Sequence, residues 1–599
     1  MEPEQARADQ LRLIPNAVIV IKTHGTSTHY LARVLIHGSV GSVNAPSYVH
    51  GYAGPPLIGK TIGEFLDEVA VKHGDREALV SVAQGVRWTY AELNSKADDF
   101  AAGLAKLGLE PGDRIGIWSP NRAEWVVVQF AAAKAGLVLV NINPAYRTSE
   151  LEHVMTAVGC KALVTAPSFK SSDYLAMLGA LVSDVRCGFD PIVSDRLPAL
   201  RRVIILDDGG EDGHLRYSDV LALGRSTGQS RWPAETVRFD DAVDIQFTSG
   251  TTGLPKGVTL SHHNLLNNGI QVGDATGIGM GDRVCIPVPL YHCFGMVMGN
   301  LACLGHAATM VFPSEAFDPL QVLQAIETER CTHLYGVPTM FIAILGHEGF
   351  RDFDLTSLRG GIMAGAPCPA EVMKAVMTDM HMAEVTIAYG MTETSPVSFQ
   401  TRRDDPLEAR VSTVGRIMPH LEVKIVDERD RIVQRGEPGQ LCTRGYSVMS
   451  GYWGDEILTR EVLNVAGWMH TGDLATIDDE GYCRIIGRIK DLVIRGGENI
   501  SPREVEEYLY RHPAIRDVQV IGVPDGKYGE ELCAWIVLRP HVEVAVEDIR
   551  DFCRGQIAHF KIPRYIKFVE SFPTTTTGKV QKFVIRQLME EELKLGPPP

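Results

Sequence analysis

The chain has 599 residues, of which 45% are hydrophobic and 22% charged, and it carries a formal net charge of −16 at pH 7. A single hydrophobic core stops growing near about 250–300 residues, so we expect at least two folded units. The acidic balance, without clustered Lys and Arg, excludes a broad nucleic-acid-binding surface, and the ordinary composition excludes a disordered or fibrous chain.

The first 50 residues differ from the rest in charge. No acidic residue occurs between Asp9 and Glu64, whereas basic, hydroxylated and small residues are frequent. This composition is typical of an organellar transit peptide, although the acidic residues Glu2, Glu4 and Asp9 are unusual in one. We therefore predict an N-terminal extension over residues 1–50 that is either a mitochondrial presequence or a disordered or strand-forming segment.

From residue 61 onwards, helical and strand patterns alternate. The periodicity predicts a helix over 62–71, a strand over 78–82, a helix over 90–107 and a strand over 113–118, and the alternation continues to residue 206. It resumes with strands over 284–288, 309–312, 334–335 and 360–364. Short Val- and Ile-rich strands separated by helices predict a large α/β body with a mostly parallel sheet.

A different pattern begins near residue 423. Shorter alternating segments, with turn clusters at 436–439 and 478–481, predict antiparallel strands up to residue 487. Beyond that point the pattern predicts a helix over 502–510, strands over 518–523 and 532–538, and a helix over 546–558. We therefore predict an α/β fold with a large body over residues 51–488, a hinge over 489–491, and a small mobile α+β domain over 492–599.

Cysteine spacing and hydropathy narrow the class further. The 11 cysteines include no C-x-x-C pair and no zinc-type spacing with histidines, so we expect reduced thiols rather than disulfides or a structural zinc site. No apolar run reaches the roughly 20 residues that a spanning helix needs, so we expect no transmembrane segment.

The most informative segment follows an alternating strand-like run over 243–247. It reads Thr248, Ser249, Gly250, Thr251, Thr252, Gly253, Leu254, Pro255, Lys256 and Gly257. The hydroxyls and backbone N–H groups of such a loop can surround phosphate oxygens, and Lys256 supplies a countercharge. The spacing is not that of a Walker A loop, because Lys256 follows Pro255 and precedes Gly257. The segment therefore predicts a phosphate-binding loop of another kind.

Four further motifs follow in order. They are Tyr389-Gly390-Met391-Thr392-Glu393, Thr471-Gly472-Asp473, Gly487-Arg488-Ile489-Lys490-Asp491 and Thr577-Gly578-Lys579. Together with the loop, they resemble the acyl-adenylate-forming superfamily over roughly residues 61–590. More narrowly, the stretches at 495–502 and 560–563 resemble mitochondrial medium-chain acyl-CoA synthetases. The resemblance implies an enzyme that uses ATP, Mg²⁺ and coenzyme A.

The resemblance implies a role for each nucleotide motif. The ring of Tyr389 can stack on adenine, while the carboxylate of Glu393, with Thr248 as a second contact, would bind Mg²⁺. Asp473 follows a Thr-Gly turn and can accept hydrogen bonds from both ribose hydroxyls. Arg488 is the expected second nucleotide contact. The remaining members of the predicted ATP site are Gly365, Ala366, Pro367, Gly390, Met391 and Thr392.

The acyl and thiol sites are also implied by resemblance. His292, in a Tyr-His-Cys-Phe stretch, is expected near the carboxylate of the acid, with the apolar side chains around it towards the acyl chain. Lys579 is expected to balance charge on the α-phosphate and carboxylate. The C-terminal domain would then rotate about Lys490 and Asp491 to bring the CoA-binding residues Gly496, Gly497 and Glu498 to the site.

The predicted reaction is the ligation of a fatty acid, of medium chain length by resemblance, to CoA through an acyl-adenylate. The chain has no Gly-x-Ser-x-Gly or HExxH motif that would indicate a hydrolase. An adenylating enzyme with another acceptor, and a sensor that binds nucleotide or acyl groups without turnover, remain as alternatives. We predict small-molecule partners and a mitochondrial matrix location, with the cytoplasm as the alternative; the oligomeric state is not predicted.

Overall fold

The computed structural model describes residues 45–182, 184–186, 188–207, 213–226, 237–248, 255–496, 498–575 and 579–593. The first elements are β1 (Tyr48–His50), α1 (Ile62–His73), β2 (Glu77–Ser81), β3 (Val86–Thr89), α2 (Tyr90–Lys106), β4 (Arg114–Trp118), α3 (Ala123–Lys134), β5 (Val138–Ile142), α4 (Thr148–Val158), β6 (Cys160–Thr165), β7 (Ser168–Phe169), β8 (Ser172–Asp173), α5 (Tyr174–Gly179), β9 (Arg202–Ile205), β10 (Leu215–Arg216) and α6 (Tyr217–Arg225).

The middle of the chain continues the alternation. Its elements are β11 (Ala242–Thr248), β12 (Lys256–Ser261), α7 (His262–Thr276), β13 (Arg283–Cys285), a π-helix (Phe294–Leu301), α8 (Ala302–His306), β14 (Thr309–Phe312), α9 (Pro319–Glu329), β15 (His333–Gly336), α10 (Pro338–Leu345), a 3-10 turn (Phe350–Asp352), β16 (Gly360–Ala364), α11 (Ala370–Asp379), β17 (Glu384–Gly390), a 3-10 turn (Thr392–Thr394), β18 (Val397–Gln400), α12 (Leu407–Ser412) and β19 (Arg416–Ile417).

Strands dominate the last third. Its elements are β20 (Leu421–Val426), β21 (Gly439–Gly445), β22 (Gly451–Tyr452), α13 (Glu456–Val462), β23 (Met469–Ile477), β24 (Cys483–Arg488), a 3-10 turn (Ile489–Asp491), β25 (Val493–Arg495), β26 (Glu498–Ile500), α14 (Pro502–Leu509), β27 (Ile515–Asp525), β28 (Gly529–Leu538), α15 (Val546–Cys553), a 3-10 turn (His559–Lys561), β29 (Tyr565–Phe568) and α16 (Lys582–Leu593).

Two large sheets form the body. The eight-stranded sheet has the order β10-β9-β6-β4-β5-β11-β12-β22 and is parallel up to β11. The nine-stranded sheet has the order β19-β18-β17-β16-β15-β13-β14-β2-β3 and is parallel from β17 to β2. The predicted α/β class and its mostly parallel sheets are confirmed.

Helix α3 explains how the two large sheets share one core. All but one of its residues are buried, and it contacts β2 of one sheet as well as β4 and β5 of the other. A helix that is apolar on every side is stable only when it is enclosed. Its one buried cation, Lys134, forms ion pairs with Asp67 at 2.8 Å and Asp98 at 2.6 Å. These pairs offset the cost of removing the Lys134 charge from water.

Helices α1 and α2 each begin with a capping box. The hydroxyl of Thr61 accepts a hydrogen bond from the backbone of Glu64 at 3.1 Å, while the Glu64 carboxylate accepts one from the Thr61 backbone at 2.8 Å. Thr89 and Glu92 repeat the arrangement at the start of α2. Each pair satisfies two backbone groups that the first helical turn leaves without partners.

The antiparallel region and the C-terminal part follow the body. Strands β1-β20-β21-β23-β24 form a five-stranded antiparallel sheet, as predicted for residues 423–487. Strand β1 also belongs to it and lies at the end of the expected extension, for which a strand-forming segment is one of the alternatives. Residues 1–44 of the expected extension lie outside the described residues.

The C-terminal part has its own sheet and core. Strands β25 to β29 form a separate sheet, and side chains such as Val493, Leu509, Val520, Ile536 and Ile549 form a core of their own. The chain from residue 45 onwards nevertheless forms one compact unit by its contacts. The domain limits at 488 and 491 therefore remain a prediction.

Two further properties bear on the cellular context. The ten cysteines that the structure describes are free and buried, and Cys187 lies outside the described residues. No helix in the described part of the chain has both the length and the apolar character needed to cross a membrane.

Candidate active site

The predicted phosphate loop lies between two paired antiparallel strands. Strand β11 ends at Thr248 and β12 starts at Lys256, and these two residues are direct antiparallel partners. This pairing therefore places the Thr248 hydroxyl and the Lys256 ammonium at the same end of the sheet. Of the loop, Pro255 is described, while Ser249, Gly250, Thr251, Thr252, Gly253 and Leu254 lie outside the described residues.

Glu393 lies beside these two strands, in the 3-10 turn that follows β17. Its side chain is nearly buried, and the turn packs against β12. One carboxylate oxygen accepts a hydrogen bond from the hydroxyl of Tyr452 at 2.8 Å. Within the described residues, no cationic side chain forms an ion pair with Glu393, although its charge acts on Arg488 from a greater distance.

Asp473 and Arg488 lie opposite each other on β23 and β24. Their side chains form an ion pair at 3.1 Å, and the second oxygen of the buried Asp473 carboxylate accepts a hydrogen bond from the Tyr389 hydroxyl at 2.5 Å. Burial and the neighbouring Asp473 charge raise the pKa of Tyr389 well above its usual value, so this phenol remains a donor. The structure thus joins three residues predicted for the nucleoside.

The Thr-Gly turn expected before Asp473 is a bulge within a strand. Gln440 of β21 pairs with Leu474 of β23, and Cys442 pairs with His470, so β23 has two more residues than β21 between these pairs. Gly472, one of the residues in this part of β23, has a φ of +73°. The Thr471 hydroxyl accepts a hydrogen bond from the Asp473 backbone at 3.1 Å. A bulge redirects side chains without ending the strand, which the turn-forming sequence alone does not reveal.

The remaining residues of the predicted ATP site lie at the carboxyl ends of two parallel strands. Gly365, Ala366 and Pro367 follow β16, and Tyr389 and Gly390 end the adjacent strand β17, with Ala364 and Ala388 in register. Gly365 has a φ of +86°, which a residue with a side chain rarely adopts. Met391 and Thr392 continue from Gly390 towards Glu393. Ligands of open α/β sheets bind at such strand ends.

His292 lies immediately before the π-helix. Its Nδ1 accepts a hydrogen bond from the backbone N–H of Phe294 at 3.1 Å, so in the neutral ring the proton is assigned to Nε2. Burial, and then the charge of Lys579, lower the pKa of His292 to about 4. At neutral pH His292 is therefore an uncharged hydrogen-bond donor rather than a cation.

The π-helix after His292 supplies an apolar surface. Phe294, Met296 and Met298 are buried, and the ring centroid of Phe294 lies 5.9 Å from that of Tyr335. These side chains fit the expected acyl-facing surface. Single turns of π-helix are frequent at functional sites because the wider ring reorients side chains.

Lys579 connects the C-terminal part to this cleft. Its residue is exposed as a whole, but its ammonium lies close enough to His292, Asp473 and Arg488 to interact with each electrostatically. Loss of solvent and the charge of Arg488 lower the pKa of Lys579, while Asp473 and Asp491 oppose this shift. The Thr575 backbone N–H donates to the Lys579 carbonyl at 2.8 Å, and the Lys579 backbone N–H donates to the Thr575 hydroxyl at 3.2 Å.

The predicted hinge and CoA-binding residues lie elsewhere. Lys490 and Asp491 form an exposed 3-10 turn between β24 and β25. Gly496 and Glu498 lie on the exposed hairpin between β25 and β26, and Gly497 lies outside the described residues. Within the described residues, no hydrogen bond or ion pair joins this hairpin to His292, Glu393 or Asp473.

Sequence reasoning missed three residues that organise the site. Tyr452 bonds to Glu393; the Gln246 side chain accepts a hydrogen bond from the Cys293 backbone at 3.1 Å; and the Cys293 thiol lies 3.8 Å from the Thr392 hydroxyl. Gln246 could have been found, since it lies on the strand leading into the phosphate loop and faces the same side as Thr248.

Two family models match different parts of the chain. Residues 66–453 match the family described as AMP-binding enzyme, and residues 504–579 match the AMP-binding enzyme C-terminal domain. The putative acyl-CoA synthetase YngI of Bacillus subtilis is 45% identical, over 90% of this chain and 99% of that protein. The mitochondrial medium-chain acyl-CoA ligase ACSF2 of Mus musculus is 43% identical, over 94% of both.

A solved structure gives the same result in three dimensions. The anthranilate CoA ligase AuaEII in complex with anthranoyl-AMP has a TM-score of 0.81 and 27% identity, with 90% of this chain and 99% of that chain covered. The chain therefore belongs to the family of AMP-binding enzymes.

Proposed function

We propose that this AMP-binding enzyme joins a medium-chain fatty acid to coenzyme A with ATP, through an acyl-adenylate, releasing AMP and pyrophosphate. One observation carries the proposal. The buried Asp473 carboxylate binds Arg488 at 3.1 Å and the Tyr389 hydroxyl at 2.5 Å, and the charge of Lys579 acts on this carboxylate and on His292. Residues expected for the acid, for the nucleoside and for charge balance thus come from distant parts of the chain to one cleft.

In the first half-reaction, a carboxylate oxygen of the acid attacks the α-phosphorus of ATP. An O–P bond forms, and the bond between the α-phosphorus and pyrophosphate breaks. The attacking carboxylate is already ionised, so no protein nucleophile or general base is required. The protein has to align the reactants and offset negative charge, which is the contribution that we assign to Lys256 and Lys579.

His292 has a different contribution. Since its pKa is about 4, its ring stays neutral at pH 7, and the hydrogen bond from Phe294 leaves the Nε2 proton for a substrate oxygen. A neutral donor can orient the acid without binding it as tightly as a cation would. We propose that it fixes the carboxylate in line with the α-phosphorus.

The residues present fit a magnesium ion. Mg²⁺ prefers hard oxygen ligands, and Glu393 offers a nearly buried carboxylate with no ion-pair partner among the described residues, with the Thr248 hydroxyl at the end of the adjacent strand. We propose that Glu393 and Thr248 would hold it. When bound with ATP, such an ion offsets the charge of the phosphates.

In the second half-reaction, the thiol of CoA attacks the carbonyl carbon of the acyl-adenylate. A C–S bond forms, the C–O bond to AMP breaks, and the thiol proton goes to solvent. In the described conformation, the charge of Lys579 acts on His292 and Asp473. We therefore propose that the part after the 3-10 turn Ile489–Asp491 rotates, which withdraws Lys579 and brings the hairpin carrying Gly496 and Glu498 to the thiol.

The proposed acid substrate and the proposed cellular compartment are supported by different observations. The buried Phe294, Met296 and Met298 favour an apolar acid, and the mouse relative is by name a medium-chain, mitochondrial ligase. We propose a mitochondrial location on that name and the acid-poor N-terminal sequence, with the cytoplasm as the alternative, since a bacterial relative is equally similar. Fusing residues 1–50 to a fluorescent reporter tests this; a diffuse signal would refute mitochondrial import.

The function is tested with a series of straight-chain acids from acetate to palmitate. Purified protein is incubated with each acid, MgATP and CoA, and AMP and acyl-CoA are measured together. We expect equal amounts of the two products, with a maximum at medium chain length. AMP or pyrophosphate exchange without thioester would point to another acceptor, and no product with any acid would leave a sensor without turnover.

A further inference from the structure

Tyr452 lies between the two charged groups proposed for magnesium and the phosphates. Its hydroxyl donates to Glu393 at 2.8 Å, and the ammonium of Lys256 lies 5.5 Å from the centroid of its ring. We propose that Tyr452 is a positioning residue that orients the metal-binding carboxylate and the phosphate-binding cation together. The inference rests on the proposed function, because it assumes the roles given to Glu393 and Lys256.

The backbone around Tyr452 is fixed independently of its side chain. Strand β22 is the edge strand beside β12, with Tyr452 opposite Val258, and Trp453 donates to the Gly257 carbonyl at 2.7 Å. On the other side, the Tyr452 backbone donates to the Thr459 hydroxyl at 2.9 Å. Replacing the side chain should therefore leave β22 in place.

The hydroxyl is held as a donor. Tyr452 is 9% exposed, and its hydroxyl faces the Glu393 carboxylate, which when ionised can only accept a hydrogen bond. No other side chain in the described part of the chain donates to the Glu393 carboxylate. Because one carboxylate oxygen of Glu393 is fixed by this hydrogen bond, the other oxygen has one orientation. The Glu393 side chain therefore loses less conformational entropy when it binds a ligand.

The ring acts on Lys256 rather than on Glu393. A separation of 5.5 Å lies within the range in which a cation is attracted to the face of an aromatic ring. Lys256 follows directly on the phosphate loop, so its long side chain would otherwise sample many rotamers. One side chain thus holds an anion through its hydroxyl and a cation through its ring.

The test compares Tyr452→Phe with Tyr482→Phe. The control removes a hydroxyl that also donates to a carboxylate at 2.8 Å, that of Asp405, on a buried tyrosine away from the cleft. Binding of Mn²⁺ is measured by the electron paramagnetic resonance signal of the free ion, with a non-hydrolysable ATP analogue present. We expect Tyr452→Phe to weaken Mn²⁺ binding about tenfold, as for a lost hydrogen bond to a charged group, and Tyr482→Phe to leave it unchanged.

A kinetic readout separates positioning from folding. In Tyr452→Phe, the Mg²⁺ concentration giving half-maximal AMP formation should rise about tenfold, while kcat at saturating Mg²⁺ stays near wild type. A structural role would instead lower kcat and the melting temperature without changing the Mg²⁺ requirement. Tyr452→His, which keeps an aromatic ring and can donate through N–H, should recover part of the Mn²⁺ affinity and serves if the phenylalanine variant does not fold.

A double-mutant cycle with Glu393→Gln gives the decisive outcome. If Tyr452 acts through Glu393, Tyr452→Phe has little further effect on Mn²⁺ binding once Glu393 is replaced. Additive effects, or an unchanged Mn²⁺ affinity in Tyr452→Phe, would overturn the inference. Failure of the wild-type protein to bind Mn²⁺ with the ATP analogue would refute the metal site of the proposed function itself.

Discussion

Replacing Asp473 with Asn should weaken ATP binding while leaving the chemical step intact. The Asp473 carboxylate is 5% exposed, and both of its oxygens have partners, Arg488 at 3.1 Å and the Tyr389 hydroxyl at 2.5 Å. Asparagine has nearly the same shape but no charge, and one of its two terminal groups is a donor. It can accept from one ribose hydroxyl, where a carboxylate can accept from both.

The expected magnitude follows from this loss. A hydrogen bond to a charged group contributes about 1.5–3 kcal/mol, so losing one should raise KM for ATP roughly 10- to 150-fold. The nucleoside is remote from the reacting phosphorus, so kcat at pH 7 should stay near wild type. Because the Asp473 charge raises the pKa of Lys579, its removal should also shift the alkaline limb of the rate profile to lower pH.

The matched control is Asp405→Asn, in a second Tyr-Asp-Arg cluster of the same kind. Asp405 is also buried and accepts a hydrogen bond from Tyr482 at 2.8 Å beside Arg416 at 3.2 Å. Both variants should lower the melting temperature, but only Asp473→Asn should change KM for ATP in steady-state assays of AMP release. An unchanged KM in that variant, or an equal rise in the control, would refute the assignment.

Three further predictions concern charge, the hinge and pH. Lys579→Ala should slow adenylation, measured as pyrophosphate release, about 10²- to 10³-fold. Thioester formation from supplied acyl-adenylate should stay nearly normal, and a defect confined to that second step would contradict the assignment. Lys490→Pro should leave adenylation largely intact and impair thioester formation, and equal losses in both half-reactions would count against the hinge. Burial lowers the pKa of His262 from 6.5 to about 3. As the pH falls below 6.5, the unfolded state therefore binds a proton that the folded state does not bind. The free energy of unfolding should decrease by about 5 kcal/mol between pH 6.5 and pH 3. His262→Asn should reduce that dependence in urea unfolding measured across this range, and an unaltered slope would disprove it.

Much of the fold could be predicted because buried parallel strands are short, continuous apolar runs. The strands predicted over 309–312 and 360–364 agree with β14 and β16. The strand predicted over 284–288 ends early, at Cys285, because Pro287 and Pro289 lack the N–H groups that a ladder needs. The helix predicted over 546–558 ends at Cys553, where Arg554 is extended and Gly555 has a φ of +71°.

The site was predictable only where its residues form contiguous motifs. The positions of Asp473 and Arg488 followed from their motifs, whereas their ion pair depends on the register of β23 and β24. Tyr452 lies 59 residues from Glu393 and belongs to no motif that we recognised, so nothing local marks it. The π-helix is equally hidden, because a segment with a single polar side chain, Asn300, has no periodicity that distinguishes it from an α-helix.

The proximity of Lys579 to His292 has a thermodynamic consequence. Burial is the larger cause of the low pKa of His292 and the Lys579 charge is the second, so withdrawal of Lys579 in an open conformation removes one cause and should raise that pKa. By linkage, protons bind preferentially to that open conformation, and acid therefore favours opening. The imidazole of His292 thus serves as an internal reporter, whose titration in a nuclear magnetic resonance spectrum would register the withdrawal of a side chain nearly 300 positions further along the chain.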